Sequence, residues 1–184
     1  MNGIGAGLEF LQPFVDRLPP ELEVIRFDVP GIGGSPMPLV PYHMWTLAPL
    51  VGELVRRLGH EQVDVLGFSW GGGLAQQFAV ACRRRCRRLV LVATGTGSLM
   101  VPGRPEVLAR FLTPPPDVDA ATALRLAGEF YGGSARHPDA PTLEVLDLLS
   151  RTLRESRRGY VYQLLAGTGW NTLPALGLIR QPPK

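Results

Sequence analysis

Five residues, Gly67-Phe68-Ser69-Trp70-Gly71, constrain what this chain can fold into more than any other stretch. An apolar run (Val63, Val65, Leu66) stops at a glycine, a serine follows two residues later, and an amphipathic helical pattern begins at once. G-x-S-x-G set between strand and helix is the pattern of a nucleophile elbow. So tight a turn leaves no room for side chains two positions either side of the serine, which accounts for Gly67 and Gly71. Ser69 is expected in a sparsely populated backbone conformation, its hydroxyl lifted above the end of the sheet. Its Oγ would also lie at a helix N-terminus, where free N–H groups and the dipole favour developing negative charge. In a chain with 22 glycines the pentapeptide alone is a weak signal. The flanking strand and helix patterns give it weight.

The 184 residues suffice for one domain with a sizeable core, or for a core domain plus an inserted segment. No run of eighteen or more apolar residues occurs, so no transmembrane segment is expected. The N-terminus lacks a basic region followed by an apolar stretch, so no signal peptide is expected either. Net charge is +3, and Lys184 is the only lysine. The one dense basic run, Arg83, Arg84, Arg85, Arg87 and Arg88, falls at the predicted end of the helix after the elbow, where it complements the dipole. With no zinc spacing, nucleic-acid module or continuing basic stripe, no nucleic-acid partner is expected. Cys82 and Cys86, four apart, share a helix face if that helix reaches them. Without further Cys or His nearby they form no metal site, and their spacing argues for reduced thiols in a cytoplasmic protein.

Along the chain, the glycine-rich opening (residues 1–7) leads into Leu8, Leu11, Phe14, Val15 and Leu18 at helical spacing, ended by Pro19-Pro20. That opening lacks the Lys-Ser/Thr of a phosphate loop and the dinucleotide spacing; a loop offering a backbone N–H to an oxyanion suits it better. LEVIRF (22–27) reads as a buried parallel strand, followed by the Gly/Pro-rich turn of residues 28–35. Residues 44–58 read as a helix stopped by Gly59, with Pro49 marking its start or a kink. After the elbow, RLVLVAT (88–94) is a third parallel strand, and the β-α-β-α-β alternation gives an α/β fold. From about residue 101 to 170 the pattern is helical and proline-punctuated (PEVLARFLT, DVDAATALRLAGEFYGG, PTLEVLDLLSRTLRES, YVYQLLAGTGW), an inserted cap. Its aromatic residues Phe130, Tyr131, Tyr160, Tyr162 and Trp170 are either cap core or the apolar wall of an acyl pocket facing Ser69.

Taken together, these stretches resemble the α/β-hydrolase superfamily, and within it the intracellular poly(3-hydroxyalkanoate) depolymerases of the medium-chain-length type. The likeness is carried by NGIGAGLEFLQPFVDRL (2–18), LEVIRFDVPGIGGS (22–35), GFSWGGGLAQQFA (67–79), RCRRLVLVATGTGSLMVPG (85–103), Tyr131-Gly132-Gly133 and YVYQLLAGTGW (160–170). The resemblance implies a partial α/β-hydrolase fold plus an inserted helical cap. Its segments would be core (1–97, with oxyanion loop and elbow), cap (98–170) and a return segment (171–184). It implies Ser69 as nucleophile, the backbone N–H groups of Trp70 and Ile4 as oxyanion donors, and Gly3, Gly5, Phe68, Phe130, Tyr131, Tyr160 and Trp170 around the substrate. Further implications are a polyester or small ester substrate, a polyhydroxyalkanoate granule surface in the cytoplasm as partner, and no metal or organic cofactor. A small-molecule esterase, thioesterase or C–C hydrolase of the same fold is the alternative chemistry. A truncated, non-catalytic binding module is the alternative class.

A serine hydrolase needs a histidine to take the serine proton and an acid to orient it, and here both should follow the serine. His43 and His60 precede Ser69, and His137, with Asp139, lies in a polar turn of the cap. None matches the position the resemblance requires. The expectation is therefore a fragment whose triad acid and base lie outside these residues, and which also lacks the strand between LEVIRF and the elbow strand. LEVIRF must then pair directly with residues 63–68 or leave a gap.

Overall fold

The apolar run before the elbow is the strand β1 (Val63–Phe68), and the apolar run after it is β2 (Cys86–Val92). The two pair in parallel, in register from Asp64 against Arg88 to Phe68 against Val92, with an irregularity between Val63 and Asp64. Between them runs the elbow helix (Trp70–Ala81), completing a β-α-β unit. The computed structural model describes residues 1–99, 105, 106, 109 and 120–180; most of PEVLARFLT and the start of DVDAATALRLAGEFYGG lie outside them. The chain divides into two units, Met1–Ile4, Pro38–Pro102 and Val161–Lys184 in the first, Gly5–Met37 and Gly103–Tyr160 in the second.

In the first unit the expected helix at residues 44–58 is Met44–Arg57. It turns Met44, Leu47, Ala48, Val51, Gly52 and Val55 inward at three- and four-residue spacing, and packs on the elbow helix. Pro49 falls inside the helix rather than at its start, on the face where Trp45 and Leu50 are exposed. The helix stops where expected, Leu58 being its C-cap and Gly59 adopting φ 87°. The elbow helix buries Leu74, Ala75, Gln76, Phe78 and Ala79.

Several sequence expectations are corrected here. The elbow helix ends at Ala81, so Cys82 caps it while Cys86 opens β2, and the two thiols do not share a helix face. The arginine run meets the helix terminus only through Arg83, whose guanidinium donates to the Val80 carbonyl in the last turn of the elbow helix at 3.3 Å. Arg83 to Arg85 form the turn, where the Arg85 guanidinium donates to the His60 carbonyl at 3.1 Å. Arg87 and Arg88 lie on β2, and Arg87 makes a bidentate pair with Asp64 (2.8 Å for both bonds). Registry across the strands explains this, because Asp64 stands opposite Arg88 and beside Arg87. Burial pushes both thiols upward in pKa, Cys86 to about 11.

In the second unit the N-terminal helix is shorter than its spacing suggests, a 3-10 turn at Leu8–Leu11 followed by one α-turn at Gln12–Val15. LEVIRF forms no strand; Leu22 is 55% exposed and Val24 39%. Of the two outcomes expected, the structure takes the gap. A strand is stable only with a ladder to join, and among the described residues the sheet has two strands, β1 and β2. The turn after LEVIRF is organised by Asp28, whose carboxylate accepts from the N–H of Leu8 (2.7 Å) and of Gly34 (2.9 Å). The cap stretches contain helices Ala120–Tyr131 and Ala140–Glu155, and a third helix spans Arg157–Gly167. Among the described residues no helix is long and apolar enough to cross a membrane.

Candidate active site

Ser69 occupies the junction of β1 and the elbow helix with φ 52° and ψ −120°. A non-glycine residue there stores about 1–3 kcal/mol of strain. Two bonds hold it: Ser69 N–H donates to the Val92 carbonyl at 2.9 Å, and Gly72 N–H donates to the Ser69 carbonyl at 2.8 Å. The turn thus draws its stability from the last residue of β2 and the first turn of the helix. A methyl group at Gly67 would lie 2.5 Å from the Gly71 carbonyl oxygen and 2.6 Å from the Ala75 Cβ. Gly67 is there for space.

The three glycines that begin the helix each admit a different neighbour. A methyl at Gly71 would run into the backbone of Met1 and Asn2, one at Gly72 would lie 2.5 Å from the Thr94 side chain, and one at Gly73 would lie 3.1 Å from the Trp170 ring. The first contact brings the N-terminal segment to the elbow. Met1 amino donates to the Leu66 carbonyl (2.7 Å) and Phe68 N–H donates to the Met1 carbonyl (3.1 Å), the bond pattern of a parallel bridge across from Gly67. Met1 therefore takes the edge of β1 away from β2. Burial there lowers the pKa of its amino group to about 6.

Two residues further on, Gly3 is packed beside the elbow. A methyl there would lie 3.3 Å from the Phe68 ring and 3.6 Å from the Ser69 Cβ. Gly3, Ile4, Phe68, Ser69 and Trp70 thus belong to one unit and one neighbourhood. The Trp70 N–H opens a helix and has no intrahelical acceptor. Among the described residues neither it nor the Ile4 N–H meets a protein acceptor.

Of the remaining sequence candidates, Trp170 is 5% exposed and packs on Gly73. Gly5 and Tyr160 meet in the second unit, where Gly5 has φ 70° and a methyl on it would lie 3.0 Å from the Tyr160 ring. Phe130 and Tyr131 close the helix Ala120–Tyr131, their side chains outside the described residues. His43 is the N-cap of Met44–Arg57, its ring stacked on Trp45 at 4.4 Å. His60 sits in the turn before β1, and its N–H donates to the Val55 carbonyl. Neither bonds the Ser69 hydroxyl. Asp139 caps the helix Ala140–Glu155, accepting from the Thr142 N–H at 3.0 Å. That bonding to Thr142 lowers its pKa. His137 is exposed in the turn before it. Among the described residues no group of three His, Cys, Asp or Glu could hold a metal ion.

Sequence reasoning missed a polar cluster behind the elbow. Gln76, 1% exposed, donates to the Gly95 carbonyl (2.8 Å) and accepts from the Thr172 hydroxyl (2.6 Å), and Thr172 N–H donates to the Thr96 carbonyl. The only signal for it was Gln76, a glutamine among the apolar Leu74, Ala75, Phe78 and Ala79 of the elbow helix.

Comparison with known proteins agrees with this fold. The chain is 45% identical over 181 residues to a poly(3-hydroxyalkanoate) depolymerase of Ectopseudomonas oleovorans, a match covering 98% of this chain and 63% of that protein. It therefore spans a little under two thirds of the length of that relative. Its fold is also similar to that of an esterase from Exiguobacterium antarcticum (TM-score 0.74, 21% identity, covering 97% of this chain and 68% of that one). A hydrolase from Pseudomonas aeruginosa is similar too (TM-score 0.72, 24% identity, 98% and 67%). By resemblance the chain groups with hydrolases and esterases. A family model described as the alpha/beta hydrolase fold matches residues 1–182, and the chain belongs to that family.

Proposed function

We propose that the chain carries the nucleophile and oxyanion half of a serine ester hydrolase acting on a poly(3-hydroxyalkanoate). Ser69 Oγ attacks the ester carbonyl, and the N–H groups of Trp70 and Ile4 hold the oxyanion of the tetrahedral intermediate. One such donor is typically worth about 10²–10³ in rate. The observation that carries the reading is the strained Ser69 backbone (φ 52°) with the Gly3-Ile4 loop packed beside it. The name of the relative at 45% identity supports the polyester as substrate. An insoluble polymer puts the reaction at a granule surface, in the cytoplasm where such granules form. Gly3, Gly5, Phe68, Phe130, Tyr131, Tyr160 and Trp170 are proposed to line the substrate, with residues 98–170 as the cap segment and 1–97 as the core segment. The acid and base that complete acyl transfer are proposed to lie beyond residues 1–184. Without them the chain retains the roughly 10³–10⁴ over water that a hydrolase keeps when its triad is removed.

A fluorophosphonate probe tests this. Slow covalent labelling of the folded chain, at the residual rate left without the base, that disappears in Ser69→Ala supports the nucleophile, and a folded chain that labels no faster than Ser69→Ala on prolonged exposure overturns it in favour of a binding module. Turnover of short soluble esters with none of the polymer would reassign the substrate to a small ester or thioester.

A further inference from the structure

Two tryptophans on opposite sides of one packing face are bonded reciprocally. The Trp70 indole N–H donates to the Gln163 carbonyl at 2.8 Å, and the Trp170 indole N–H donates to the Gln77 Oε1 at 3.0 Å. The spacing is a mirror image. Along the elbow helix the order is Trp70, Gly73, Gln77; along the other segment it is Gln163, Gly167, Trp170, with the three- and four-residue intervals reversed. Each glycine lies under the opposite ring: a methyl at Gly73 would be 3.1 Å from the Trp170 ring, and one at Gly167 would be 4.0 Å from the Trp70 Nε1. The bonded pairs, Trp70 with Gln163 and Gln77 with Trp170, are both 93 residues apart, so the two segments run in the same direction, each gripping the other with an indole.

Both ends of this clasp are anchored. At the far end Ser98 N–H donates to the Trp170 carbonyl (2.9 Å), and Thr172 is bonded to Gln76 and Thr96. At the near end Trp70 is the residue after Ser69, so its side chain and the peptide N–H at the elbow belong to the same residue. A helical carbonyl has a second lone pair to offer, and Gln163, 1% exposed, offers it where water does not compete. Fixing the indole fixes the rotation of the Trp70 Cα and, through it, the direction of the Ser69–Trp70 peptide.

We infer that this reciprocal clasp is a positioning device for the elbow, and that the Trp70 side chain sets the aim of the Trp70 backbone N–H. The inference rests on the hydrolase reading above for the use of that N–H, though not for the existence of the clasp. Two measurements on the full 184-residue chain test it. In nitrogen-15 spectra the indole protons of Trp70 and Trp170 should exchange at least about tenfold more slowly than that of Trp45, which is half exposed. In labelling with the fluorophosphonate, Trp70→Phe keeps the ring and removes the donor. Its maximal labelling rate should fall roughly five- to tenfold, the scale of one neutral hydrogen bond. Its half-saturating probe concentration should stay unchanged, and Trp45→Phe should label like wild type. Wild-type labelling kinetics in a folded Trp70→Phe, or a change confined to the half-saturating concentration, overturns the positioning role. Equally fast exchange of all three indoles overturns the clasp and leaves the hydrolase reading standing. Protected indoles in a wild-type chain that does not label sink the hydrolase reading, and the positioning role with it, while the clasp survives.

Discussion

Gly71→Ala is the substitution from which the architecture of the site has most to lose. Its methyl would meet two backbones: the carbonyl carbon of Met1 would be 2.6 Å away, with the Met1 and Asn2 carbonyl oxygens closer still. Comfortable carbon–carbon contact is about 3.5–4.0 Å, so the N-terminal segment must retreat by roughly 1 Å. Backbone has no rotamer with which to give way. Overpacking of this kind costs about 1–3 kcal/mol, and the retreat strains the two bonds joining Met1 to Leu66 and Phe68, worth about 0.5–1.5 kcal/mol each. Together that is about 2–6 kcal/mol, or a fall of roughly 4–24 °C in Tm for a chain of this size. Urea and thermal unfolding measure the loss, with Gly177→Ala as comparator: nothing lies within 4 Å of the added methyl there. That variant should be neutral or gain up to about 1 kcal/mol from the stiffer unfolded chain. The same 1 Å retreat carries Gly3 and Ile4 away from Ser69, and a misplacement of that size can cost about 10²-fold in rate. Gly71→Ala should therefore also react far more slowly with the fluorophosphonate. A variant with the wild-type unfolding midpoint and labelling rate would refute the close approach of the two segments.

Ser69→Gly relieves the positive φ and should raise stability by about 1 kcal/mol while abolishing labelling; urea midpoints and a labelling gel read the two halves separately. Thr172→Val removes the donor to a buried glutamine and leaves Gln76 Oε1 unsatisfied, so it should cost about 1–3 kcal/mol by urea unfolding. The buried Met1 amino group has a folded pKa of about 6 against 8.0 in the open chain. Between those values the unfolded chain holds more protons, so stability should rise with pH from 6 to 8, by roughly 2 kcal/mol. That contribution is fully present above pH 8 and is lost as pH falls through 6. Acetylating the N-terminus should flatten this part of the profile. Cys82 and Cys86, their thiols pushed upward by burial, should react slowly with a disulfide reagent at pH 8 and rapidly once the chain is unfolded.

The elbow was legible in the sequence because its cause is local. A turn of that tightness dictates Gly67 and Gly71 by sterics, and the strand and helix on either side dictate themselves by period. β1 came out as expected, and the elbow helix began as expected, for that reason. LEVIRF failed for the complementary reason. Its composition is that of a buried strand, but a strand is a relation between two segments, and composition says nothing of whether the partner is there. The arginine run was legible only where it stays local, in the Arg83 guanidinium on the Val80 carbonyl. Charge beside a helix end suggests a dipole contact, yet Asp64, 23 residues from Arg87 in the chain, claimed that arginine for the sheet.

What the sequence could not disclose is why three consecutive glycines follow Ser69 and Trp70. One would satisfy the elbow. Each of the others removes a side chain from the path of a segment distant in the chain, Thr94 for Gly72 and Trp170 for Gly73. A glycine in a helix interior costs about 1 kcal/mol relative to alanine, so the run is a standing cost that only close approach can offset. The offset is visible in the bonds it permits: the Ser69 N–H to Val92, the Gln76 amide to Gly95, the Trp170 indole to Gln77. The elbow helix is thus weak as an isolated helix and strong as a hub. Restoring helix propensity with alanine at Gly72 should therefore destabilise the chain, because its methyl would lie 2.5 Å from the Thr94 side chain, and an unfolding midpoint above wild type would show the glycines to be dispensable.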